Sequence, residues 1–210
     1  MAHDKASSWA YAESSATDNS FASRAREAAN ELGIDALSSA SCSFLTVLAG
    51  QGNVHTIAEI GTGTGVSGLA LLTARPDSQL TTIDVDSEAQ QAAREAFLAA
   101  GVKSARFRLI NGRSADLLPR LATGTYDLVI IDGDPLEAAG DVDEALRMLR
   151  AGGLLVVAHA LGHDRVADPV KRDEPTVAMR SLVQDLLGRE DLHASLIAAG
   201  DGFLLATKVA

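Results

Sequence analysis

A single cysteine, Cys42, leaves this chain no internal disulfide, and no CxxC pair is present for redox exchange or zinc. Positive charge is also short. Eighteen Lys and Arg face 28 Asp and Glu, a formal charge of −10. That balance opposes wrapping a nucleic-acid backbone but not binding a small substrate. The first twenty residues, MAHDKASSWAYAESSATDNS, have neither the basic start nor the apolar stretch of a secretory leader. No apolar run reaches the roughly 18 residues of a membrane span. Repeats and low-complexity tracts are absent. The expectation is a cytoplasmic protein without nucleic-acid or membrane partners, with residues 1–20 flexible and 21–210 a single domain. What the chain does have is 47% hydrophobic residues, enough to bury a full core without a metal or disulfide staple.

Two helical stretches come first. FASRAREAANELG ends at Gly33, and LSSASCSFLTVLAG offers Ser38 or Ser39 as a cap and Gly50 as a stop. A regular alternation follows. TIAEIG, QLTTIDVD, ARFRLING, YDLVIIDGD and LLVVAHAL read as strands. Between them lie the helices VSGLALLTA, SEAQQAAREAFLAAG (Ser87 as cap), SADLLPRLA (shortened by Pro119) and EAAGDVDEALRMLRAGG (ended by Gly152 and Gly153). YDLVIIDGD is apolar on both faces, as a strand inside a parallel sheet should be. The pattern predicts an α/β fold, a doubly wound sheet with helices on both faces. The charged loop HDRVADPVKRDEPT breaks the rhythm, VAMRSLVQDLLG reads as a further helix, and LHASLIAAGDGFLLATKV then reads as an antiparallel hairpin turning at Gly200-Asp201-Gly202.

The chemistry concentrates in IAEIGTGTGVSGLALL, residues 57–72, where Gly61, Gly63 and Gly65 follow the first strand. Glycines there either let a ligand approach the backbone or let a strand and helix pack closely. GTGVSG over 63–68 matches G-x-G-x-x-G, and Asp84 follows Gly63 by 21 positions, so an NAD(P)-binding oxidoreductase is one candidate. No Lys-Ser/Thr follows, which excludes a P-loop. Glu59, just before the turn, is a poor neighbour for a pyrophosphate and a good one for a cationic ligand.

Taken in order, AEIGTGTGVSGLALL, LTTIDVDSEAQQAAREAFLAAG, RLINGRSADLLPRL, YDLVIIDGDP and LLRAGGLLVV resemble the class I S-adenosylmethionine-dependent methyltransferases, and within them the catechol and caffeoyl-coenzyme A O-methyltransferase-like family. The resemblance implies a seven-stranded mixed Rossmann-like sheet with an antiparallel C-terminal strand and N-terminal helices. It implies S-adenosyl-L-methionine as cofactor, a small hydroxylated, catechol- or phenol-like acceptor, and a homodimer. It places Gly61, Thr62, Gly63, Gly65 and Ser67 at the cofactor's amino acid end, with Glu59 sustaining that loop. Asp84 matches the acid that takes the ribose hydroxyls, and Val85 the position against the adenine face. Gly112, Arg113 and Ser114 match the adenine-edge segment, and Leu37 a position closing over the cofactor. Of the two acids after strand four, Asp132 and Asp134, one would face the cofactor ammonium and one the substrate or a metal.

The match breaks at the metal. Metal-dependent members hold a divalent cation with the first acid after strand four and an Asp-Asn pair ending strand five. Here Asp132 remains, but Ala158 and His159 replace the pair, and Pro135 stands at the position of a commonly assisting Lys. A Mg²⁺ site of that kind is not expected, and no metal ligand is assigned. Two substitutes stay open: His159 as general base beside Asp132, or His159, His163 and Asp132 around a softer metal. A non-catalytic homologue that keeps only cofactor binding is the third alternative.

Overall fold

The computed structural model describes residues 5–208; residues 1–4 of the N-terminal segment and residues 209–210 of the expected domain lie outside the described residues. Seven strands form one sheet: β1 (Thr56–Ile60), β2 (Gln79–Asp84), β3 (Phe107–Asn111), β4 (Tyr126–Ile131), β5 (Leu149–Val157), β6 (Leu192–Ile197) and β7 (Phe203–Lys208), in the order 3-2-1-4-5-7-6. The first five strands are mutually parallel, and β7 runs antiparallel to both β5 and β6.

Alternation along the strands builds two cores. Ile57, Leu128, Ile130 and Val156 point to one face, beneath α2 (Ser20–Leu32), α3 (Ser39–Ala49), α4 (Val66–Ala74) and α5 (Ser87–Ala99). Ala58, Val129, Ile131 and Val157 point to the other, beneath α7 (Ala138–Met148) and α8 (Glu174–Gly188). Because β4 feeds both cores, it is apolar from Leu128 to Ile131. Pro119 does shorten its helix: α6 spans only Ser114–Leu117, and a 3-10 turn takes Leu118–Arg120.

Three local expectations are corrected. Asp86, not Ser87, caps α5, its carboxylate accepting from the backbone N–H groups of Glu88 and Ala89. The helix before β5 stops at Met148 rather than at Gly152 and Gly153, because Leu149 already pairs with Tyr126 in the sheet. Leu128 pairs next with Leu154, so the two glycines lie in a bulge of β5. Finally, α1 (Lys5–Ser14) forms within the stretch for which the sequence suggested no element. It packs on α3, and the Glu13 carboxylate accepts from Gly200 N–H (2.7 Å) and the Ser38 hydroxyl (2.9 Å).

Candidate functional site

A cavity of about 410 Å³ opens beyond the C-terminal ends of β1, β2 and β4, where the strand order reverses. The residues predicted from sequence gather here. Leu37, Gly61, Thr62, Gly63, Ser67, Asp84, Val85, Gly112, Arg113, Ser114, Asp132 and Asp134 all line it. Glu59, Gly65 and His159 do not; each stands behind or beside the wall.

The glycine turn divides its labour. A Cβ on Gly61 would lie 2.0 Å from the carbonyl oxygen of Asp132, so this glycine lets the ends of β1 and β4 meet. A Cβ on Gly65 would strike the Phe97 ring at 2.8 Å and the backbone of Ala93 at 3.0 Å, so this one seats the turn on α5. Of the three, only Gly63 has room for a Cβ, which would meet Ile34 at 3.6 Å in ordinary van der Waals contact. The packing alternative therefore accounts for two of the three glycines, and ligand approach is left to Gly63.

Behind the turn runs a buried polar chain. Register places Glu59 beside Thr82, whose hydroxyl donates to Glu59 Oε2 at 2.7 Å. The Thr82 and Thr62 hydroxyls are 2.8 Å apart, and Gln90 Nε2 donates to Thr62 at 3.2 Å and to the Ile110 carbonyl at 3.1 Å. Glu59 is wholly buried, and its Oε1 has no hydrogen-bond partner. Burial pushes its pKa up to about 7, against the pull of the Ser67 and Thr82 hydroxyls. Asp84 fastens the turn from the cavity side: Oδ2 accepts from Gly63 N–H at 2.8 Å and Oδ1 from Asp86 N–H at 2.9 Å. Two of its roughly four lone-pair sites remain for a ligand.

The acids after β4 part ways. Asp134 accepts from Leu136 N–H at 2.9 Å and turns the chain toward α7. Asp132 is half-buried, and desolvation lifts its pKa to about 7, with His159 pulling it down and Asp35 and Asp84 adding to the rise. His159 Nε2 lies 3.4 Å from Asp132 Oδ1 without a hydrogen bond, while Nδ1 meets Asp201 Oδ2 at 3.1 Å. Burial draws the imidazole pKa down, but the Asp201 hydrogen bond and the Asp132 and Asp35 charges outweigh it, leaving a net rise.

Four contributors escaped the sequence reading. Asp201 reaches His159 from the β6–β7 turn, and Asp35 comes from the α2–α3 loop; the GDG turn was the only sequence signal near the first. Glu137 pairs with Arg113 and accepts from the Ser114 hydroxyl at 3.3 Å, which leaves the cavity's arginine neutralised. Asp141 is buried against the cavity with Oδ2 unpartnered, and burial raises its pKa. The softer-metal trio also changes: the imidazoles of His159 and His163 converge on Asp35, not Asp132.

The oxygen-only donor set that a hard cation wants is not present. Ala158 offers no ligand atom, and His159 offers nitrogen. The residues at Asp132 do not fit the Mg²⁺ site of the metal-dependent methyltransferases.

A doubly wound sheet with a reversed β7, carrying an acid-lined cavity at its switch point, is the fold and site of a Rossmann-like class I methyltransferase. The O-methyltransferase family model matches residues 12–209, and the chain belongs to that family. A protein named Probable O-methyltransferase Rv1220c, from Mycobacterium tuberculosis strain H37Rv, is 42% identical over 201 residues, covering 95% of this chain and 90% of its own. Among solved structures, the O-methyltransferase TomG of Streptomyces achromogenes, in complex with SAM, superposes with a TM-score of 0.85 at 28% identity over 100% of both chains. Cofactor-bound Rv0187 of M. tuberculosis gives 0.84 at 29% identity, over 95% of this chain and 94% of its own.

Proposed function

We propose that the chain is an S-adenosylmethionine-dependent O-methyltransferase for a small hydroxylated acceptor, catechol- or phenol-like, with His159 taking the acceptor's proton. The observation that carries this reading is the Asp132–His159–Asp201 line beside a carboxylate-rich cavity. Asp35, Asp84, Asp132, Asp134 and Glu137 face the cavity, and its single arginine is already paired. That field suits a cationic sulfonium and repels a pyrophosphate. The NAD(P) alternative has neither this field nor the family on its side.

When bound, the cofactor supplies a methyl group on a sulfonium, itself a good leaving group. The chain's own work is to hold, align and take a proton. Gly61, Thr62, Gly63 and Ser67 offer backbone and hydroxyl to the amino acid end, and the free lone pairs of Asp84 serve the ribose hydroxyls. Val85, Gly112, Arg113 and Ser114 border the adenine end. Leu37 covers the cofactor, and Asp134 faces its ammonium. Glu59 and Gly65 act from behind, by fixing the turn. Holding both reactants in line removes several kcal/mol of the barrier. With Nδ1–H donated to Asp201, the lone pair of His159 Nε2 is free on the Asp132 side to receive the acceptor's proton. The same reading has a homodimer, which rests on the family resemblance and is checked by light scattering, working in the cytoplasm, which rests on the single cysteine.

The test is transfer of labelled methyl to a panel of catechols and flavonoids, with and without chelator. Product that survives chelation is expected, with His159→Ala slowing turnover about 10²–10⁴-fold and changing cofactor affinity little. No product from any acceptor favours the cofactor-binding homologue instead.

A further inference from the structure

The two ring nitrogens of His159 face different surroundings, and only Nδ1 has a hydrogen-bond partner. Nε2 looks toward Asp132, and Nδ1 looks toward a second cluster. There Asp35 Oδ2 stands 3.0 Å from Nε2 of His163 and 4.0 Å from Nδ1 of His159. The ring centroids of the two histidines are 5.8 Å apart. One ligand atom from each of the three residues falls within 4.8 Å of the others. Asp201 borders the group, its Oδ2 lying 3.1 Å from Nδ1 of His159 and 3.8 Å from Nδ1 of His163. Metal–nitrogen bonds of about 2.0–2.1 Å set tetrahedral ligand atoms roughly 3.3 Å apart. The observed 3.0 and 4.0 Å separations bracket that value.

The backbone is bent to produce this convergence. His159, His163 and Asp164 have φ of 51°, 53° and 64°, left-handed conformations that side chains rarely adopt. Asp201 Oδ1 also accepts from His163 N–H at 2.7 Å, locking the loop so that both imidazoles meet Asp35. Two imidazoles and a carboxylate suit Zn²⁺, Co²⁺ or Ni²⁺ and do not suit Mg²⁺.

We propose that Asp35, His159 and His163 form a site for a divalent transition-metal ion of the Zn²⁺ type, and that filling it switches off methyl transfer by taking Nδ1 of His159. The second half rests on the proposed role of His159 as base. Without the ion, the one proton of the neutral ring sits on Nδ1 and is donated to Asp201. An ion on Nδ1 uses that nitrogen's lone pair, so the ring's single proton moves to Nε2, beside Asp132. Nε2–H then has no lone pair with which to accept a proton from the acceptor. No other atom is gained or lost. Asp201 gives up one hydrogen bond and remains as a neighbouring charge for the ion. This site uses the opposite side of the imidazole from Asp132 and different chemistry from the Mg²⁺ site that Ala158 and His159 preclude.

The experiment titrates the untagged full chain, first stripped with chelator, with Co²⁺ and then Zn²⁺, in the absence of cofactor and acceptor. One Co²⁺ per chain is expected, with the visible absorption of four-coordinate cobalt, displaced by Zn²⁺ and not by Mg²⁺. His163→Ala and Asp35→Asn should each weaken binding at least about tenfold, the cost already known for the outer partners of metal ligands. A parallel assay compares methyl transfer with and without Zn²⁺. The parent rate should fall on adding the ion, and the ratio should return toward one in His163→Ala. No stoichiometric binding, or binding that both substitutions leave unchanged, overturns the site; Zn²⁺ that leaves the rate alone or raises it overturns the switch. Because the titration contains neither cofactor nor acceptor, its failure is separate from any failure of the methyl-transfer reading.

Discussion

Gly61 and Gly63 stand two positions apart in one turn and answer to different constraints. Both have positive φ, at 92° and 48°. An added methyl at Gly61 collides with the Asp132 carbonyl, whereas at Gly63 it meets only the end of Ile34. Gly61→Ala should therefore cost more than about 4 kcal/mol or prevent folding. Gly63→Ala should cost only the strain of the left-handed backbone, about 1–2 kcal/mol. Urea melts of the two variants compare them; equal losses would contradict the division of roles. Glu59 carries the second residue-scale prediction. Its pKa is near 7 when folded against an ordinary 4.5, so between those values the folded chain holds more protons than the unfolded one. Stability must then fall as pH rises through that window, by roughly 3 kcal/mol in all, and level off above it. Glu59→Gln keeps an oxygen for the Thr82 hydroxyl and removes the buried charge. Its melting temperature should exceed the parent's at pH 8, with the gap closing toward pH 5. A gap independent of pH would show that Glu59 does not titrate there.

At the scale of elements, the Phe97 ring of α5 packs under the glycine turn, beside the Gln90–Thr62 hydrogen bond. Phe97 is fully buried, packs edge-on against Phe107 with centroids 5.2 Å apart, and fills the space that Gly65 and Gly68 leave. Phe97→Ala should lose about 3–5 kcal/mol by cavity formation. Because the turn sits on that ring, cofactor affinity should drop as well; a melt and a calorimetric titration on the same variant check both. Asp127 shows how elements are joined by contacts that local pattern cannot reveal. Its Oδ2 accepts from His55 and Thr56 N–H at 2.8 Å, and Oδ1 takes Arg150 Nε at 2.5 Å, tying β4 to the start of β1 and to β5. Most elements were legible because apolar spacing and cap residues are local; Asn19 and Ser38 cap α2 and α3 through their own side chains. The boundary of β5 was not, since Leu149-Arg150 continues a good helix sequence and only pairing with Tyr126 draws it into the sheet.

For the whole molecule, the negative balance and the acid-lined cavity act together. A cationic sulfonium nucleoside should find this cavity and a dinucleotide should not. S-adenosylmethionine at about a hundred times its dissociation constant should add roughly 2.7 kcal/mol to stability, read as a rise in melting temperature. NADH at the same concentration should leave the melt unmoved; the reverse pattern would end the methyl-transfer reading. Among the described residues no helix is long and apolar enough to cross a membrane.

The sequence by itself determined the alternating elements, the reversed C-terminal strand, and the positions of Glu59, Asp84 and Asp132 at strand ends. Each of these follows from patterns spanning a few residues, or from an ordered set of motifs that a family shares. Only the tertiary structure decided which glycine has room for a side chain and which is pressed against its neighbours, because that depends on Asp132 and Phe97, far along the chain. It alone brought Asp35, 124 positions away, and Asp201, 42 positions away, to His159, and set Glu13 against Gly200, 187 positions on. Charges meet across such distances only when the sheet closes, and nothing in their local sequence announces it.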